Sequence, residues 1–290
     1  MAIPSSELIL NPDGSIYHLN LKPEDIGDTI ITVGDPDRVE KVTKYFDEIL
    51  ITTHKREFKT QTGLLNGKKI TVISTGIGTD NIDIVINELD ALVNIDFASR
   101  EIKENITSLD IIRIGTSGAI QTDIPVDSFL ISERAIGFDS LLQFYESSHI
   151  QDFELQKQFV EFTDWNTNKS KPYIVNANDD LFKHFKNESI IGGFTATNVG
   201  FYGPQGRILR GKLDDPALNE KLLNFKSGDI KITNLEMETA GIYGLSQLLG
   251  HRAISLNAIL ANRALGTFSE NPDYTVDTLI QLALDRVACL

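Results

Sequence analysis

Three arginines stand in short glycine-bearing motifs, where a guanidinium is suited to holding an anion or the polar edge of a heterocycle. The first motif is Val33-Gly34-Asp35-Pro36-Asp37-Arg38, which follows an apolar run and leads into the helical pattern Val39–Phe46. Gly34 lets a ligand approach the backbone, the helix start offers free N–H groups, and Arg38 adds charge and a forked donor. The plain alternative is a strand-to-helix turn capped by Asp35. The second motif, Arg113-Ile114-Gly115-Thr116-Ser117-Gly118, closes another apolar run. An arginine inside a strand demands an anionic partner, either a ligand or one of the chain's own carboxylates. Together the two motifs predict a two-sided phosphate cradle at the strand ends, where open α/β sheets gather ligands.

The third arginine lies in Phe201-Tyr202-Gly203-Pro204-Gln205-Gly206-Arg207. Gln205 offers an acceptor and two donor hydrogens, and Arg207 donates only, so the pair matches alternating C=O, N–H and C=O groups on a base such as uracil. Phe201 supplies a stacking ring; a solvated surface turn is the alternative. In Leu235-Glu236-Met237-Glu238-Thr239, at the head of the helical pattern Glu236–Leu249, the carboxylates at i and i+2 point different ways. One can accept from the hydroxyls of a ribose while the other is held by the protein. Ser74-Thr75-Gly76-Ile77-Gly78 begins like a dinucleotide fingerprint, but Asn81 stands where its third glycine belongs. It reads as close backbone packing near a ligand.

These motifs are carried by β-branched runs at Thr29–Val33, Lys69–Ser74, Asp110–Ile114, Phe129–Ile131 and Ala253–Leu260. Their alternation with helical patterns predicts an α/β fold with a mixed or parallel sheet. Within Tyr274–Val287 the stripe Val276, Leu279, Ile280, Ala283 and Val287 predicts a helix packed on the core. Ser147–Asn187 carries the weakest pattern and reads as helices and surface loops without chemistry. Residues 1–290 read as one domain.

A formal net charge of −14 over 290 residues argues against nucleic acid or an anionic membrane as a partner. An anionic substrate then needs a local concentration of the ten arginines. The lone Cys289, the absence of a signal-like start and the lack of a long apolar stretch predict a cytoplasmic protein. The histidines have no metal-ligand spacing, and no metal ion is assigned.

In their order the motifs resemble the uridine phosphorylases of the nucleoside phosphorylase-I family. The likeness takes in Tyr17-His18-Leu19, Arg56-Glu57-Phe58 and Asn262-Arg263, and is thin from about residue 133 to 190. It implies a three-layer α/β/α sandwich with a central mixed sheet, and reversible phosphorolysis of uridine to uracil and ribose 1-phosphate. By resemblance, Gly34, Arg38, Arg113 and Thr116 bind phosphate, with Gly115 beside them, and Arg56 is lent by a neighbouring subunit. His18 likewise reaches a neighbour's ribose. Met237 and Glu238 contact the ribose, with Glu236 counted among the substrate contacts. Gln205 and Arg207 bind the uracil, with Phe201 beside the base and Arg263 supporting Arg207. Arg38, Arg113, Gln205 and Arg207 are the expected catalytic residues. Phosphate is a co-substrate, and the implied assembly is a homo-hexamer built from dimers.

Some relatives hold a monovalent cation with a glutamate matching Glu57 and a serine; here Asn81 replaces the serine, which counts against that cation. The stretch from 94 to 108 is longer than in bacterial relatives. A purine nucleoside phosphorylase is the nearest rival, but that branch places an aspartate where Asn262-Arg263 stands here. A non-catalytic nucleoside-binding protein on the same scaffold would have no need of Arg38, Arg56 and Arg113 together.

Overall fold

The computed structural model describes residues 2–290. Strand β1 (Thr29–Val33) leads into helix α1 (Pro36–Thr43), and β2 (Glu48–Lys55), β3 (Phe58–Leu65) and β4 (Lys68–Ser74) form an antiparallel meander. Helix α2 (Thr79–Asn94) precedes a small hairpin of β5 (Ile95–Asp96) and β6 (Glu101–Ile102), which occupies the lengthened stretch between 94 and 108. Then come β7 (Asp110–Ala119), β8 (Phe129–Gly137), α3 (Phe153–Thr163), β9 (Tyr173–Asn176), α4 (Asp179–Phe185) and β10 (Ile190–Thr197). The chain ends with α5 (Leu218–Asn224), β11 (Lys226–Ser227), β12 (Ile230–Glu236), α6 (Thr239–Leu248), β13 (Arg252–Asn262), β14 (Thr267–Phe268) and α7 (Pro272–Val287).

The central sheet runs β11-β12-β10-β8-β13-β7-β1-β4-β3-β2 and is mixed. β1 is parallel to β4 and β7, and β13 is parallel to β7 but antiparallel to β8. A further antiparallel pairing sets Leu235 of β12 against Gly118 of β7. It closes β7, β13, β8, β10 and β12 into a ring, so half of the sheet is barrel-like. No helix among the described residues is long and apolar enough to cross a membrane.

Alternation along the buried strands divides the core between the two faces of the sheet. Ile30 and Ile111 join Val85, Ile86 and Leu89 of α2 and Ile242 and Leu245 of α6 on one face. Ile31 and Ile112 join Val39 and Val42 of α1 and the α7 stripe on the other. The result is helix, sheet, helix: the predicted three-layer α/β sandwich. Each fully buried aliphatic side chain contributes about 1.5–3 kcal/mol. All five residues of the predicted α7 stripe are buried.

Several boundaries move. β7 continues five residues beyond Ile114, so the Arg113–Gly118 motif is strand rather than turn. Helix α1 starts at Pro36, capped by the Asp35 carboxylate accepting from the Asp37 N–H at 2.9 Å, rather than at Val39. Helix α6 starts at Thr239, because Glu236 still belongs to β12. The expectation of surface helices and loops over 147–187 is also corrected. That stretch contributes a strand, β9, whose Tyr173, Ile174 and Val175 are buried, and Phe159 and Phe185 are fully enclosed. Phe159, Tyr173 and Phe185 are core residues scattered among polar ones and exposed aromatics such as Phe153 and Phe162, which hid the periodicity.

Candidate active site

Arg113 lies on β7 in register with Thr32 of β1 and Ser255 of β13, inside the ring of strands. Its guanidinium folds back over Gly115: a Cβ there would stand 1.8 Å from Arg113 Nη1. Residues i and i+2 share a strand face, so glycine at 115 is what makes room for the charge. Nη2 donates to Glu238 Oε2 at 2.6 Å and lies 3.3 Å from Glu236 Oε2, while Nη1 donates to Asn257 Oδ1 at 3.1 Å. Burial opposes the charge on Arg113, but Glu236 and Glu238 together outweigh it and hold the guanidinium above its ordinary value.

The two carboxylates differ in their commitments. Glu236 accepts at Oε2 from the Glu238 and Thr239 N–H groups and the Thr239 hydroxyl, each at 2.9 Å. Its Oε1 accepts from the Thr197 hydroxyl at 2.5 Å. Glu236, expected among the substrate contacts, anchors the α6 N-terminus, with both oxygens engaged by the protein. Glu238 caps that helix in position and accepts from Gly78 N–H at 2.9 Å as well as from Arg113. Burial pushes the Glu238 carboxyl up, Arg113 pulls it down, and Glu236 pushes it up again. Gly78 belongs to the Ser74–Gly78 turn, which the structure thus joins to the acidic pair. Met237 is half-buried between them.

Arg38, in the first turn of α1, faces this cluster from the other side. Its one hydrogen bond runs from Nη1 to the Ile114 carbonyl at 3.4 Å, and among the described residues no carboxylate lies within ion-pair distance. Burial, then the like charge of Arg113, pull its guanidinium below the usual range, against Asp35 and Glu238. A half-buried arginine facing a second arginine without an ion pair of its own describes a site for an anion. Gly34, at the end of β1, borders open space, since a Cβ there would meet only the Gly76 carbonyl at 3.6 Å. Thr116 is half-buried, and its hydroxyl makes no hydrogen bond among the described residues.

A second polar cluster forms in the loop after β10. Gln205 ends a single 3₁₀ turn, Gly203–Gln205, and is buried, whereas Phe201 is 51% exposed. Arg207 Nη1 donates to Gln205 Oε1 at 2.6 Å and to the Phe201 carbonyl at 2.7 Å, and its guanidinium stacks on the Phe201 ring at 3.7 Å. These bonds leave the hydrogens on Gln205 Nε2 without a protein acceptor among the described residues. Burial, then Arg263, pull the Arg207 guanidinium down to about 10. Arg263, expected from sequence to support Arg207, holds the loop through the Gln205 carbonyl, to which it donates at 3.0 Å, while its charge repels Arg207. Asn219 of α5 donates to the same carbonyl at 3.0 Å and packs against Gly206, whose φ is +69°. Among the described residues no carboxylate forms an ion pair with Arg207 or Arg263. Asn262 is turned away, with its amide bound to the Gln121 and Ile124 carbonyls.

The remaining expected residues sit at the start of the chain and on the β2–β3 turn. His18 Nδ1 is 2.6 Å from Glu88 Oε1 of α2, and the same carboxylate accepts the His18 and Leu19 N–H groups. The ring lies edge-on to Phe58, two residues from Arg56. Arg56 has a left-handed φ of +57°, is exposed, and makes no hydrogen bond or ion pair among the described residues. No hydrogen bond joins His18 or Arg56 to either polar cluster of this chain. Glu57 and Asn81 flank Gly76, and the Asn81 amide nitrogen is directed at the Ile77 carbonyl at 3.4 Å. Sequence reading missed Thr197, Asn219 and Asn257; a polar residue in the apolar run of β13 is the signal that marks Asn257.

The sequence pattern described as the phosphorylase superfamily matches residues 28–288. A uridine phosphorylase of Thermococcus kodakarensis is 29% identical over 275 residues, covering 92% of this chain and 84% of that protein. A DeoD-type purine nucleoside phosphorylase of Listeria monocytogenes is 26% identical over 271 residues, covering 92% and 97%. Among solved structures, a nucleoside phosphorylase of Trypanosoma brucei, described as showing uridine phosphorylase activity, superposes with a TM-score of 0.87. It is 29% identical, with 98% of this chain and all of that one covered.

Proposed function

The chain belongs to the phosphorylase superfamily, and on that footing we propose that it cleaves uridine with inorganic phosphate, giving uracil and ribose 1-phosphate. The observation that carries the proposal is Arg38, half-buried beside Arg113 without a carboxylate of its own among the described residues. A phosphate dianion there would relieve the repulsion between the two guanidiniums. The Thr116 hydroxyl and the backbone at Gly34 complete the cradle, and Arg56, exposed and unbonded within the chain, is free to enter a neighbouring subunit's site. His18, oriented by Glu88, is assigned the same kind of reach.

A phosphate oxygen attacks C1′ of the ribose as the bond from C1′ to the base nitrogen breaks, and the electron pair of that bond leaves with the base. Positive charge grows on the ribose and negative charge on the uracil. Glu238, the acid with fewer internal partners, accepts from the ribose hydroxyls and stabilises that positive charge, with Met237 beside the sugar. Gln205 donates from Nε2 and Arg207 from its guanidinium to the uracil oxygens, in bonds that strengthen as the anion forms. No side-chain nucleophile is needed, and phosphate arrives already anionic. Holding both reactants in line supplies much of the remaining acceleration.

The base end is cationic, with Arg207 and Arg263 and no acid paired to either. That favours a departing pyrimidine anion over a purine, whose N7 calls for a carboxyl donor. Phosphate-dependent cleavage of uridine, thymidine, inosine and adenosine, measured in parallel, tests the assignment. Uridine is expected to be cleaved fastest, and inosine cleaved faster than uridine would overturn the pyrimidine reading.

A further inference from the structure

Arg113 is held by three side chains, and only two of them are acids. The third, Asn257 of β13, is fully buried, accepts from Arg113 Nη1 at 3.1 Å, and donates from Nδ2 to Ser255 Oγ at 3.2 Å. Ser255 Oγ is 2.9 Å from Thr239 Oγ1, which donates to Glu236 Oε2 at 2.9 Å. An amide nitrogen can only donate, so it fixes the sense of the whole chain. The Ser255 hydroxyl accepts from Asn257 and donates to Thr239 Oγ1, and the Thr239 hydroxyl donates to the Glu236 carboxylate. The polar ring begins and ends on Arg113.

Charge gives the neutral amide its significance. Arg38 and Arg113 bring two positive charges and Glu236 and Glu238 two negative ones, so the cluster is balanced before any anion enters. An acid at 257 would leave the pocket with an excess negative charge within hydrogen-bonding distance of the guanidinium meant for phosphate. It would also draw the Ser255 proton toward itself, so that Thr239 could no longer serve both Ser255 and Glu236.

We propose that Asn257 is the positioning residue for phosphate: its neutral carbonyl fixes Arg113 while leaving the cluster able to take an anion. The inference rests on the phosphorolytic reading for its kinetic consequence, but its binding consequence needs no turnover.

The test compares Asn257→Asp, nearly identical in shape, with Asn257→Ala, which removes the acceptor without adding charge. Inorganic phosphate is titrated calorimetrically, and KM is measured separately for phosphate and uridine. Asn257→Asp is expected to weaken phosphate binding about tenfold or more, the scale of one added like charge a few ångströms away at the effective dielectric of a protein site. Asn257→Ala is expected to weaken it less, and in both variants uridine KM is expected to change less than phosphate KM, because Asn257 shares no hydrogen bond with the base cluster and reaches the ribose only indirectly, through Arg113 and Glu238. A purely structural role predicts the opposite order, with alanine the more damaging, and that order overturns the proposal. Equal changes in both KM values overturn it as well. Should Asn257→Asp fail to fold, Asn257→Ala must still weaken phosphate selectively, and unchanged phosphate binding in that variant overturns the inference. If the wild type binds phosphate but cleaves no uridine, the functional reading fails while the calorimetric comparison still decides the role of Asn257.

Discussion

Replacing Arg38 with methionine separates what that side chain does for stability from what it does for phosphate. Among the described residues its only side-chain hydrogen bond is the 3.4 Å contact to the Ile114 carbonyl, longer than a good N–H···O bond. Loss of that contact removes well under about 1 kcal/mol. Against this stands a half-buried cation that lacks an ion pair and is repelled by Arg113, a burden of up to about 2 kcal/mol that methionine, with a similar apolar stem, removes. The unliganded Arg38→Met protein is therefore expected to be as stable as the wild type or up to about 2 kcal/mol more stable. Phosphate use moves the other way. Two charge-assisted hydrogen bonds from one guanidinium, at about 1.5–3 kcal/mol each, correspond to an increase in phosphate KM of about 100-fold or more. The assays are urea unfolding without phosphate and initial rates across phosphate concentrations at saturating uridine. Phosphate at about a hundred times its Kd should stabilise the wild type by about 2.7 kcal/mol, and the variant should lose most of that gain. A variant that is clearly less stable without phosphate, yet keeps its phosphate KM, would refute the reasoning, because Arg38 would then be structural.

Gly206→Ala should disturb the base end alone. The residue has φ +69°, and a Cβ there would stand 2.3 Å from Asn219 Nδ2, so either the Asn219 side chain, which donates to the Gln205 carbonyl, or the loop carrying Gln205 must shift. Uridine KM is expected to rise about tenfold, the equivalent of about 1.4 kcal/mol, while phosphate KM stays put; equal effects on both would contradict the division into two clusters. Asp139→Asn tests the buried acid beside Tyr173. Burial pushes the Asp139 carboxyl up, so the folded protein holds its proton to higher pH than the unfolded chain does, and stability falls as pH rises through that window. Asp139→Asn should therefore unfold at higher urea than wild type at pH 7, with the gap closing as pH falls toward about 4. A wild type more stable than the variant at pH 7 would mean that the bonds from the Tyr173 hydroxyl and the Leu141 N–H outweigh burial.

The parts of the fold legible in the sequence are those whose burial is one-sided or complete. The run Thr29–Val33 became β1 with the same bounds, and the α7 stripe faces the core residue for residue. What escaped was set by distant partners. The strand at Arg113 runs through two glycines to Ala119 because Gly115 accommodates a folded-back guanidinium and Gly118 pairs with Leu235, neither of which local propensity reveals. In the site, the grouping of Gln205 with Arg207 was legible from their spacing. The attachment of Arg263 to the Gln205 carbonyl was not, since 58 residues separate them. Spacing alone makes Glu236 and Glu238 look interchangeable, and although the resemblance favoured Glu238 for the ribose, the hydroxyl of Thr197 and the N–H groups at the head of α6 are what mark Glu236 as the anchor.

In the proposed reaction phosphate, held between Arg38 and Arg113, is the group that attacks uridine. ³¹P NMR of the wild-type protein with uridine and inorganic phosphate tests it directly. The account predicts a ribose 1-phosphate resonance that grows in step with free uracil and is absent without phosphate. Uracil released with free ribose, at a rate indifferent to phosphate, would contradict it.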